Sequence, residues 1–346
     1  MAKKKEQTLD YASEVKKLRQ NGPERLYFLW GPEDYLRERF LETLQSVCLP
    51  EGEDSFSFRR LEGPELDETA LVEAVNALPF LTERSFVEVR GVDWNKVKNA
   101  AALVAVLRDI PDCCTVALVQ GSAFEPDGRL KQTKALRAAA RELKFTRQPQ
   151  SALIQWIARR FEALGKRVER TAAERLVFVS GDLMNRLIPE IEKIAAYTPG
   201  DVVTTQEVEA VAHHLPEAVV FKMTDCLASQ KNDAALRVLD ELLADKNNEP
   251  IMILAVVGMQ MRRLYAARLA IEEKRGERYV MDVCRIANGY AVGELMRSAR
   301  GFSLAQLKRA LELCSETDYR MKSSGENPVE LLKELVLRIA AGETHA

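Results

Sequence analysis

The spacing of apolar positions changes near Gln148. Before it, short apolar runs rich in β-branched and aromatic residues alternate with helix-period segments. The runs RLYFLW (25–30), SFSFRRL (55–61), SFVEVRGV (85–92), TVALVQG (115–121) and LKFTRQ (143–148) read as strands. Amphipathic segments between them begin near Asp34, Asp67, Asn95 and Asp127, residue types whose side chains cap the orphan N–H groups of a helix. This alternation predicts an α/β layer with a largely parallel sheet. After Pro149 it stops. Long helix-period stretches follow, among them ALIQWIARRFEALG, PIMILAVVGMQMRRLYAARLAIEEK and LAQLKRALELCSETDYRMK, and predict an all-helical second half. A second break falls at HHLPEA (213–218), where Pro216 cannot continue the short helix read in TTQEVEAVAHH. The expected domains are therefore residues 1–148, 149–214 and 215–346. Absence of a solenoid-period repeat or a low-complexity tract argues against an array or a disordered scaffold.

The first strand leads into an unusual turn, LYFLWGPEDYLRERF (26–40). Strand, glycine turn and helix is how a phosphate-binding loop begins. A loop of the GxxxxGK[ST] kind also needs a second glycine and a Lys beside a hydroxyl, and neither follows Gly31. Pro32, Glu33 and Asp34 come instead, with Glu38 further on. Carboxylates at a helix N-terminus suit its dipole but repel a phosphate. An NTPase would also close a buried strand with an acidic pair, whereas VALV (116–119) is followed by Gln120 and Gly121, which neither hold a hard cation nor act as a base. Two missing parts at two positions indicate a retired nucleotide site.

Composition narrows the function classes. The 50 basic and 52 acidic residues give a net charge of −2, with no global electrostatic footprint for nucleic acid or an anionic membrane. The N-terminal MAKKKEQ runs into a charged segment and not into the apolar core of a secretory signal, and no apolar run approaches membrane-spanning length. Six cysteines without CxxC spacing speak against zinc and against a disulfide framework, so the cytoplasm is the expected compartment.

Other candidate chemistry has a bland reading. His213 and His214 are adjacent, so on a helix they point about 100° apart and do not share a metal; the remaining histidine, His345, lies in the tail. Cys113 and Cys114 open an expected buried strand and read as small apolar residues. No GxSxG, HExxH or isolated carboxylate pair stands out. No catalytic site, cofactor or metal is expected. The apolar stripes of the second half, such as Ile253, Val257, Met261 and Leu264, or Leu304, Leu307, Leu311 and Cys314, are first of all a core.

The order of segments resembles the delta-subunit family of bacterial DNA polymerase III clamp loaders, of the AAA+ clamp-loader type. The segments are LYFLWGPEDYLRERF, ALPFLTERSFVEVR, GDLMNRLIPEIEKIAAY, ALRVLDELL, ILAVVGMQMRRLYAARL and LELCSETDYRMKSSGENPVELLKELVLRI, spread over nearly the whole chain. The family shares an empty phosphate loop. The resemblance implies an α/β N-terminal AAA+ domain, RecA-like with a parallel sheet, followed by two all-α domains: a small helical lid and a helical collar that joins a ring-like pentamer. It implies a component of the DNA-directed DNA polymerase holoenzyme that binds and helps open the sliding beta clamp for loading onto primed DNA, without ATPase activity of its own. The implied partners are the clamp, loader subunits of the gamma/tau and delta-prime type, and primed DNA within the assembled loader, with no membrane.

The family's hydrophobic wedge after the second helix maps onto Leu78, Phe80 and Leu81. On physics alone the same segment has another reading: Pro79 stops the helix VEAVNAL, and Phe80 and Leu81 tuck beneath the sheet. Two further functions stand beside the clamp-loader one, an active P-loop-type ATPase and a non-replicative adaptor built on an AAA+ domain.

Overall fold

The structure, a computed structural model, describes residues 9–50, 56–63, 66–80, 82–286 and 288–342. It divides into two compact units: residues up to Gln148 together with Leu183–Asn185, and the remainder from Pro149 onward.

In the first unit α1 (Tyr11–Asn21) precedes β1 (Leu26–Trp30), α2 (Asp34–Cys48), β2 (Phe58–Glu62), α3 (Glu68–Asn76), β3 (Ser85–Arg90), α4 (Ala100–Arg108), β4 (Cys114–Val119), α5 (Lys131–Ala139) and β5 (Arg141–Lys144). The strands form one sheet in the order β2-β3-β4-β1-β5, with parallel neighbours throughout. Every residue of β1 and β4 is buried. Strands covered on both faces carry near-continuous apolar runs, which is why these were legible as strands. Phe28, Val87, Val116 and Leu118 of the sheet share a core with Trp94, Leu71 and Leu103. At the edge, β2 exposes Arg59 and Arg60, charges that discourage further pairing.

Several boundaries differ from the sequence reading. Helix α1 was not foreseen in the charged stretch it occupies; it buries only Leu18, and its start is capped by Asp10, whose carboxylate accepts the Ser13 N–H at 3.2 Å. Asn95 does not open a helix. Its side chain bridges two loops, donating to Glu125 O at 2.8 Å and accepting the Asp127 N–H at 2.9 Å, so α4 starts five residues later. Asp127 is similarly occupied with the Arg129 N–H at 2.9 Å, and α5 begins at Lys131. Strand β5 covers the polar RELK instead of 143–148, because parallel pairing with β1 aligns Tyr27 with Arg141 and Trp30 with Lys144.

The second unit comprises α6 (Gln150–Ala163), β6 (Arg167–Val168), α7 (Arg170–Ser180), α8 (Met184–Tyr197), β7 (Val202–Val203), α9 (Thr205–Val211), α10 (Pro216–Ala228), α11 (Asn232–Ala244), α12 (Pro250–Glu272), α13 (Glu277–Cys284), α14 (Gly289–Ala299), α15 (Leu304–Ser323) and α16 (Pro328–Ala340). The first residues of α8 group with the first unit. The expectation of helix alone is corrected by the parallel pair β6–β7, two residues each and too short to show a period. Helix α9 is opened by a capping box of Thr204 and Glu207, and α10 starts on Pro216, which suits a first helical position because its missing N–H has no partner to lose. The long α12 runs through a core with α10, α14, α15 and α16; Ile253, Val257, Met261 and Leu264 are buried there. Phe178 of α7 packs edge-on against Phe221 of α10 at 5.1 Å and against Tyr290 of α14 at 5.8 Å.

Candidate functional site

The turn after β1 is closed by the protein itself. Gly31 has φ +122°, and a Cβ there would lie 2.4 Å from the Phe145 carbonyl oxygen. The Glu33 N–H donates to that oxygen at 3.1 Å, the Asp34 N–H to Pro32 O at 3.2 Å, and the Phe145 N–H to Trp30 O at 2.8 Å. The Glu33 and Asp34 amides are the N–H groups that a phosphate-binding turn would present to its ligand. Glu33, at the N-cap of α2, is fully buried. The buried Arg37 donates to Gly31 O at 2.8 Å and pairs with Asp34, so its guanidinium belongs to the loop. Pro32 completes the turn. The four residues Gly31, Pro32, Glu33 and Asp34 thus form a compact structural corner.

Charges along the same end of the sheet are also matched internally. Arg90 at the end of β3 lies 2.6 Å from Glu38 of α2 and pairs with Glu88, which is fully buried and 3.2 Å from Arg60 of β2. A buried carboxylate is tolerable when two guanidinium groups share its charge. This network was not foreseen; its signal is the Glu inside the apolar strand SFVEVR. Gln120 is buried, donates its N–H to Leu29 O at 2.9 Å and accepts the Trp94 N–H at 3.4 Å. It ties two loops together and presents no acid. Among the described residues no group of three or more His, Cys, Asp or Glu is placed to hold a metal.

The segment after α3 is different. Helix α3 ends at Asn76, Ala77 turns extended, and Leu78 and Phe80 are 83 % and 59 % exposed. Leu81 lies outside the described residues. Phe56, read in the sequence as part of a strand, sits ahead of β2 and is 74 % exposed. Its ring meets that of Phe80 edge-to-face, centroids 5.9 Å apart and planes at 89°. Beneath them Ser57 is buried and accepts the Phe80 N–H at 2.9 Å. The core alternative for Phe80 does not match this exposure. The alternation S-F-S-F gave no signal for Phe56, since a period of two puts it on the same strand face as Phe58; the strand starts only at Phe58, which stacks on Phe86, and Phe56 is left outside.

The remaining candidates behave as packing. The His213 N–H donates to Glu190 at 2.8 Å, and burial lowers the pKa of His214 although Glu209 is 3.8 Å away. Burial pushes the Cys48 thiol up to about 11 and that of Cys314 up to about 12, and raises Cys114 as well, so these three are protonated near neutral pH. Cys113 is half-buried beside the start of β4.

Comparison with known proteins places the chain as a whole. A family model described as DNA polymerase III, delta subunit matches residues 27–146, and one described as DNA polymerase III delta subunit, C-terminal domain matches residues 217–339. The chain is 25 % identical over 335 residues to DNA polymerase III subunit delta of Bacillus subtilis (strain 168), covering 93 % of this chain and 94 % of that one. It is 23 % identical over 323 residues to a probable DNA polymerase III subunit delta of Aquifex aeolicus (strain VF5), covering 90 % of each. Among solved structures it is similar to the DNA clamp loader delta protein of Bacillus subtilis, with a TM-score of 0.53, 22 % identity, and coverage of 96 % of this chain and 99 % of that one.

Proposed function

We propose that the chain, which belongs to the DNA polymerase III delta subunit family, grips the sliding beta clamp and helps open it for loading onto primed DNA, without nucleotide chemistry of its own. The observation that carries this reading is the exposed, uncharged Leu78-Pro79-Phe80 tip on an α/β unit whose phosphate turn is closed by Phe145 and Arg37. An exposed aromatic next to a proline and close to an exposed aliphatic is the type of anchor that dominates a modest interface. The N-terminal unit, residues 1–148, then acts as a lever. Residues 149–214 form a small helical lid, and residues 215–346 form a collar that meets loader subunits of the gamma/tau and delta-prime type. The start of the C-terminal family match at residue 217 supports that division. The assembly belongs to the DNA polymerase III holoenzyme and works on primed DNA in the cytoplasm; among the described residues no helix is long and apolar enough to cross a membrane.

The test is a titration of the purified clamp with the chain and with Phe80→Ala, alongside thermal melts. Truncating the anchor is expected to cost about 2–4 kcal/mol of binding. Phe80 is 59 % exposed, so the fold loses about 1 kcal/mol at most. Preserved affinity together with a large fall in melting temperature would return Phe80 to the core.

A further inference from the structure

We propose that the clamp-engaging tip is a two-part aromatic element in which Phe56 contacts the same apolar pocket as Phe80, and that Ser57 is the positioning residue that presents both rings. The proposal rests on the reading of Phe80 as a clamp contact. It starts from an imbalance: Phe56, Leu78 and Phe80 are 74 %, 83 % and 59 % exposed, yet they come from two segments of chain brought to one place. Edge-to-face contact between the two phenylalanines adds to the apolar surface at one point, and the 77–80 stretch ALPF carries no charge. An uncharged, partly aromatic tip suits an apolar pocket on a protein partner and not a phosphate backbone, for which a basic group would be needed.

Beneath the rings the backbone is held firmly. The Ser57 carbonyl accepts the Phe86 N–H at 2.9 Å, which ties this residue to the start of β3. Its hydroxyl accepts the Phe80 N–H at 2.9 Å, and lies 3.3 Å from the Phe80 carbonyl oxygen and 2.6 Å from the Thr82 hydroxyl. The Thr82 hydroxyl in turn lies 2.9 Å from Arg84 O, closing the loop onto the strand that follows. Phe80 therefore has a fixed backbone under a solvent-exposed ring, and Phe56 is covalently next to the residue that fixes it. A loop ordered before docking loses less conformational freedom on binding, so the latch contributes affinity without touching the partner.

The experiment titrates purified beta clamp with the full-length chain and its variants Phe56→Ala, Ser57→Ala, Phe80→Ala and Ser57→Ala/Phe80→Ala, with melting temperatures taken on each preparation. Phe56→Ala is expected to weaken binding about 3- to 30-fold at an unchanged melting temperature. Ser57→Ala is expected to weaken it about 3- to 10-fold, and to have a clearly smaller effect once Phe80 is alanine, because only the Phe56 ring is then left for it to position. Thr82→Val, which removes a hydroxyl at the same junction, should show the same pattern at smaller amplitude and serves if Ser57→Ala does not fold. Parent-level binding by Phe56→Ala while Phe80→Ala is impaired overturns the two-part element and leaves the Phe80 reading standing. An equal Ser57→Ala loss with and without Phe80 overturns the positioning role. Parent-level binding by Phe80→Ala removes the underlying reading, and the inference with it.

Discussion

Gly31→Ala tests whether the glycine after β1 is a remnant of nucleotide binding or a structural requirement. Two costs follow from its position. At φ +122° an alanine sits in a region that glycine alone occupies readily, at about 1–3 kcal/mol. The new Cβ would also lie 2.4, 2.8 and 2.9 Å from the O, N and C atoms of Phe145, all backbone, so no side chain can swing aside. Relief requires Phe145 to retreat from the sheet, straining the bonds it makes to Trp30 O and the Glu33 N–H. Crowding adds about 1–3 kcal/mol, and each weakened hydrogen bond about 1 kcal/mol. The expected total is about 4–8 kcal/mol, or a fall of about 10 °C or more in the melting temperature of the first unit. Tryptophan fluorescence is the suitable assay, since Trp30 and Trp94, two of the three tryptophans, are buried in that unit. Gly121→Ala is the control: a Cβ there meets nothing within 4 Å, and a change within about 0.5 kcal/mol is expected. If the two variants melt together, the packing argument is wrong and Gly31 has to be explained by a ligand.

The full-length chain is expected to show no saturable ATP binding at micromolar nucleotide in equilibrium dialysis, because the turn's amides already bond Phe145 O and Pro32 O; binding abolished by a change at Gly31 without loss of fold would refute this. A fragment ending near His214 should keep clamp affinity and lose assembly with other loader subunits, while melting lower than the full chain because Phe178 loses Phe221 and Tyr290. A folded fragment that no longer binds clamp would refute the division. The Arg320 guanidinium, and after it the Ser324 hydroxyl, holds the Glu326 carboxyl at about 2 against an ordinary 4.5. Because the folded value is depressed, its stabilisation is present in full above pH 4.5 and is lost as the pH falls toward 2. Melting curves of the parent and Glu326→Gln should therefore differ at pH 6 and converge only as the pH approaches 2; a constant gap would refute the assignment.

The sequence by itself determined the alternation of strand and helix up to Gln148 and the helical second half. Buried parallel strands such as LYFLW and CTVALV must be apolar on both faces, and amphipathic helices must repeat every three to four residues, so each is written locally. The residues following Gly31 lack the second glycine and the lysine of a GxxxxGK[ST] loop, and the resemblance to a known family pointed to Leu78, Phe80 and Leu81. Tertiary structure alone decided the rest. The polar RELK becomes a strand because β1 offers an unpaired edge, and Asn95 is removed from helix capping by Glu125 and Asp127. The turn at Gly31 is filled by Phe145, the charge of Glu88 is met by Arg60 of the neighbouring strand, and Phe56 is carried to Phe80. Each of these depends on a partner distant in the chain, and a local pattern records what a residue can do but not which remote group the fold will bring against it.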